Sequence, residues 1–199
     1  DFTAAHRANK HLKYLCAEIM GKAPTSQVEG FYSLWRRGLL FEAPYDFDSY
    51  LTYIELDRKL EKRFYQPRKH YLKRYVDAYQ KILDGELDFL SISMPKRAGK
   101  SQLGINFTNM LSGKFPEKAT LMEGTGDDLV NSFYKGCLEY LQTPSEYLFY
   151  DVFPESKLVQ TNADTKTLNL MNKSRFPTIM CRSIDARQVG LSEATNLLY

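Results

Sequence analysis

Met94-Pro95-Lys96-Arg97-Ala98-Gly99-Lys100-Ser101 puts a glycine, an ammonium and a hydroxyl in consecutive positions, with a guanidinium two residues before the glycine. These residue types in this order suit the binding of a phosphate chain. A glycine before the lysine lets backbone N–H groups turn inward around phosphate oxygens. The lysine reaches the β- and γ-phosphates, and the serine hydroxyl holds Mg²⁺. Gly99, Lys100 and Ser101 supply all three features, and Lys96 and Ala98 complete the backbone that would wrap the anion. Arg97 is placed to neutralise charge that builds up on a departing phosphoryl group, and Lys96 can share that role. The usual pattern opens on glycine, where this chain has Met94. The competing reading is a lysine-rich turn that binds nothing, with Arg97 as a surface cation paired to a local carboxylate.

Such a loop works only between a strand and a helix, because the helix aims its N-terminal N–H groups and positive dipole end at the same anion. Phe89–Met94 is a short strand-like run. Lys100–Ser112 follows with Leu103, Phe107, Met110 and Leu111 on one stripe, and Gly113 closes it. Further on, 119–122 reads as a strand and 127–141 as an amphipathic helix. Strands are expected at 167–171 and 178–183, joined by the basic turn Asn172–Phe176, and a last one opens at Asn196. This alternation predicts an α/β fold with a mainly parallel sheet flanked by helices.

Ahead of it the pattern is helical. Residues 1–20 read as one helix, 21–30 as a polar break, and 31–40 as an aromatic-rich stretch without a clear period. Asp46 caps a helix expected to run to about Phe64, and Pro67 opens another that stops at Gly85. The division expected is a helical region over 1–85 and the front portion of a phosphate-loop NTPase over 86–199.

Composition supports a packed protein: 43% of the 199 residues are hydrophobic and 14% aromatic. The net charge of +3 does not by itself announce nucleic acid. Residues 1–85 carry 15 Lys and Arg against 11 Asp and Glu, so the mild basic excess lies in the front half. Cys16, Cys137 and Cys181 form no CxxC pair, which suggests buried packing and a reducing compartment. No apolar run approaches the length of a membrane span.

Pro95-Lys96-Arg97-Ala98-Gly99-Lys100-Ser101 resembles the loop of large terminase subunits of tailed phages and prophages, which often lacks the first glycine. Arg63-Phe64-Tyr65-Gln66-Pro67-Arg68, the run Gly85–Pro95, Gly113-Lys114-Phe115-Pro116, Phe153-Pro154 and Ser183-Ile184-Asp185-Ala186-Arg187 resemble the surroundings of that loop. The resemblance covers roughly Phe47–Tyr199 and implies an ATPase that hydrolyses ATP, with Mg²⁺, to drive double-stranded DNA into a procapsid. It implies a ring of copies that works with the small terminase subunit and the portal protein in the bacterial host cytoplasm, away from membranes. In the family the strand begun at Leu197 leads to an acidic pair that assists Mg²⁺ and activates water. This sequence stops before that pair, which implies weak turnover by these 199 residues, and no position matches the nuclease carboxylates.

The resemblance also places Tyr65, Gln66 and Arg68 where related motors hold adenine; a plain helix entry is the alternative. Lys173 and Arg175 in the basic turn are candidates to track a DNA backbone, and Arg182 and Arg187 to reach a neighbouring subunit's nucleotide. The alternative functions are another phosphate-loop enzyme, helicase-like or a small-molecule kinase, and a non-catalytic scaffold with a decayed loop.

Overall fold

The structure, a computed structural model, describes residues 2–170, 176–184 and 196–198. Helices α1 (Phe2–Met20) and α2 (Thr25–Glu42) form a hairpin. The polar break is shorter than expected, covering only 21–24, and the aromatic stretch is helical. Gly30 and Gly38 lower its helix propensity, but packing decides: Gly38 and Leu39 are buried, and so is Glu42, against α1.

Asp46 caps α3 (Phe47–Tyr53) by accepting the Ser49 N–H at 2.6 Å. The helix ends far short of Phe64. Arg63 donates to the Leu56 and Arg58 carbonyls, and those bonds hold the chain in an irregular path where helical bonds would otherwise run. A 3₁₀ turn at Gln66–Arg68 then leads into α4 (Lys69–Leu83). Gly85, at φ +73, lets the Glu86 and Leu87 N–H groups return to the Lys81 carbonyl and stop the helix.

α5 (Lys100–Lys114), β1 (Thr120–Gly124), α6 (Asp127–Gln142), α7 (Phe149–Val152), β2 (Leu158–Asn162), β3 (Thr167–Leu170), β4 (Ile179–Ser183) and β5 (Asn196–Leu198) complete the described chain. The five-stranded sheet runs β2-β3-β4-β1-β5. β4, β1 and β5 are parallel, while β2, β3 and β4 are antiparallel neighbours. The sheet is therefore mixed, which corrects the expectation of a mainly parallel one. The difference comes from the β2–β3 hairpin, whose turn is held by Asn162 Oδ1 accepting the Asp164 and Thr165 N–H groups, both at 3.0 Å.

A second correction concerns Phe89–Met94. The run is extended but pairs with no strand among the described residues. Its side chains still alternate as a strand's do: Leu90, Ile92 and Met94 are half-buried, while Ser91 and Ser93 are exposed.

One buried cluster runs from Leu39 to Cys181 through both halves of the chain. Phe107 of α5 meets Phe47 of α3 edge-on at 5.2 Å between ring centroids and Tyr79 of α4 at 4.6 Å. The helical front therefore forms one wall of the core on which α5 rests. Among the described residues no helix is long and apolar enough to cross a membrane.

Candidate phosphate-binding loop

The extended run delivers the chain to Pro95, whose carbonyl accepts the Ala98 N–H at 3.2 Å to close a turn. Arg97 then takes φ +64 and Gly99 takes φ +99, while the residues on either side of each keep negative φ. Alternation of hand at successive residues is the backbone pattern of a nest suited to an anion, although the Ala98 N–H is already engaged in the turn. α5 begins on the next residue. The Gly99 carbonyl accepts the Leu103 N–H at 2.9 Å, and no side chain caps the helix. The N–H groups of its first turn are left facing the nest.

Charge agrees with geometry. The first turn of α5 holds no acid. Lys96, Arg97, Lys100 and Ser101 are exposed, and none has a side-chain partner among the described residues. Three cations and a hydroxyl thus surround a positive helix end uncommitted. The arrangement can bind a polyanion, with Ser101 able to meet a divalent cation carried on the phosphates. Among the described residues no group of His, Cys, Asp or Glu is arranged to hold a metal ion by itself.

Phe64 braces the loop from behind. A Cβ at Gly99 would lie 2.8 Å from the Phe64 ring, so glycine is required both by its φ and by this contact. Phe64 is held by Glu55, whose carboxylate accepts the Phe64 N–H at 2.8 and 3.0 Å and the Tyr65 N–H at 3.0 Å. Burial pushes the Glu55 carboxyl above its ordinary range, against the opposing pull of these N–H groups and of Arg58. Arg58 lies over the Tyr147 ring at 4.3 Å and donates to its hydroxyl at 2.6 Å, which ties the brace to the far side of the core.

The residues expected on the adenine side are divided. Tyr65 is fully buried and its hydroxyl donates to Asp48, so its ring offers no face to a base; this corrects the expectation for Tyr65. Burial and then Asp48 push its hydroxyl pKa up. Gln66 is half-buried, its Oε1 accepting from Arg63 at 2.6 Å. Arg68 is exposed, donates to the Phe64 carbonyl at 3.0 Å and lies over the Phe64 ring at 5.6 Å. Phe64, next in sequence to Tyr65, is the aromatic that reaches the loop.

Arg182 sits on β4 level with Glu123 of β1, with its Nε buried and without a hydrogen-bond partner. Glu123, only 4% exposed, carried no sequence signal beyond a lone acid in an apolar run. Lys173, Arg175 and Arg187 lie outside the described residues. Glu55 and Phe64 were equally silent in the sequence. No family model matches the chain, and no curated protein or solved structure matches it either.

Proposed function

We propose that this chain is the ATP-binding part of a DNA-packaging motor ATPase of the large-terminase type. The observation that carries the reading is the nest at Arg97 and Gly99, set on the uncapped N-terminus of α5 and ringed by uncommitted cations. The β- and γ-phosphates of MgATP occupy the nest, with Lys100 spanning them and Ser101 on the Mg²⁺. Arg97 faces the terminal phosphate. There it would act on the negative charge that grows on the β–γ bridging oxygen as water bonds to the γ-phosphorus and ADP leaves. The choice of a motor among phosphate-loop enzymes rests on Pro95-Lys96-Arg97-Ala98-Gly99-Lys100-Ser101 and its flanking motifs, and double-stranded DNA, a small subunit and a portal are the partners that follow from it.

Calorimetry with MgATP and MgADP tests the assignment on this chain. Arg97→Ala should weaken MgATP binding by about tenfold, the worth of one charge-assisted contact, and leave MgADP within about twofold. Equal loss for both nucleotides, or no binding by the unaltered chain, rejects it. DNA-stimulated turnover by the full-length protein tests the motor separately from nucleotide binding.

A further inference from the structure

Helix α1 turns Asn9 and Lys13 inward and leaves an apolar stripe exposed. The side turned to α2 carries His6, Asn9, Lys13, Cys16 and Met20. Asn9 donates to the Gly38 carbonyl and to Glu42, both at 2.9 Å, and Lys13 pairs with Glu42 and reaches Ser49 at 2.7 Å. Ala5, Ala8, Leu12, Leu15 and Ile19 are all exposed, the last three at 41%, 37% and 38%. Their spacing of three, four, three and four residues makes one continuous seam along the helix, the pattern that packs against a second helix. Scattered exposed apolar residues are ordinary; an aligned stripe beside a buried ion pair is an interaction surface.

We infer that this stripe docks on its own counterpart in a second copy of the chain, with the two α1 helices antiparallel about a two-fold axis at Leu12. Size and charge both select that arrangement. Antiparallel pairing sets Leu12 against itself at the centre, with Ala5 against Ile19 of the other copy and Ala8 against Leu15, small opposite large on either side of it. It also brings Arg7, exposed and without a side-chain partner among the described residues, beside Glu18, the single acid of α1, whose other partner is the exposed Lys22 of its own copy at 2.8 Å. A parallel pair would stack the basic half, Arg7 and Lys10, on itself and leave a gap at the alanines. The surface is independent of the phosphate loop and of the reading given to it.

Sedimentation velocity on the whole chain from about 1 µM to about 1 mM, the range in which a modest helical interface assembles, should show a dimer that dissociates on dilution. Leu12→Glu should leave only monomer, with helix content and Tm unchanged because Leu12 does not enter the core. Arg7→Glu should raise the dimer Kd about threefold to tenfold, and Arg7→Glu combined with Glu18→Arg should recover it. Leu12→Cys should cross-link to itself on mild oxidation, since the three native cysteines are buried. A monomer at every concentration, a dimer indifferent to Leu12→Glu, or a charge swap that fails to recover association would each overturn the inference, the last by removing the antiparallel register.

Discussion

Two helices of the α/β part start on glycines with positive φ, Gly99 before α5 and Gly126 before α6, and neither has a side-chain cap. Their electrostatics are opposite. α6 opens with Asp127 and Asp128, whose carboxylates neutralise its positive end. α5 opens with Lys100 and Ser101 and adds Arg97 and Lys96 just ahead. Their surroundings differ too: a Cβ at Gly126 would meet nothing within 4 Å, whereas one at Gly99 would strike Phe64. A positive-φ glycine start is thus followed by acids at α6 and by cations at α5, where it is also braced.

The brace gives the largest expected effect. Glu55→Leu leaves two N–H groups and Arg58 without their buried acceptor, and urea denaturation should show a loss of about 3–5 kcal/mol. Glu55→Gln keeps one acceptor and should lose less. It should also alter the pH profile. Because the folded carboxyl is held above the ordinary 4.5, its contribution is complete below that value and is lost as pH rises through the folded value. Thermal scans of the glutamine variant should lack that fall.

Lys100→Ala comes next. MgATP affinity should drop about tenfold or more, equivalent to about 1.5–3 kcal/mol, with the melting temperature little changed because Lys100 is exposed and unpaired. Unaltered binding would make the two helix starts functionally alike. Gly99→Ala and Gly126→Ala should each cost about 1–3 kcal/mol in backbone strain. Phe64→Leu should relieve part of the first loss and none of the second, and a double-mutant cycle measures that difference. Asp127→Asn and Asp128→Asn should be mildest, about 0.3–1 kcal/mol each at low salt, with nucleotide binding unaffected.

The sequence marked the start of α5 because its signal is local: Gly99, Lys100 and Ser101 are adjacent, and the stripe on 100–112 announces the helix they open. It also disclosed α1, α4, α6 and the cap at Asp46, each carried by a period or a capping side chain. What it hid depends on distant partners. The end of α3 is set by Arg63 reaching back to Leu56 and Arg58, a tertiary contact with no local trace. Strand β2 is exposed over Val159–Asn162, so no alternation of hydrophobicity marked it. Tyr65 and Phe64 are indistinguishable as sequence; only the fold sends one ring to the core and the other to Gly99.

The unpaired run Phe89–Met94 has a kinetic consequence. Its amides donate to no backbone acceptor among the described residues, whereas Thr120–Met122 lies between two parallel neighbours. Amide protons of the run should therefore exchange with solvent near the rate of an open chain, and those of β1 only when the sheet opens. The Pro95–Gly99 turn is held firmly on the α5 side and loosely on the other. Slowed exchange in the run on adding nucleotide would record how far a phosphate, by fixing the nest, stiffens the chain that carries it.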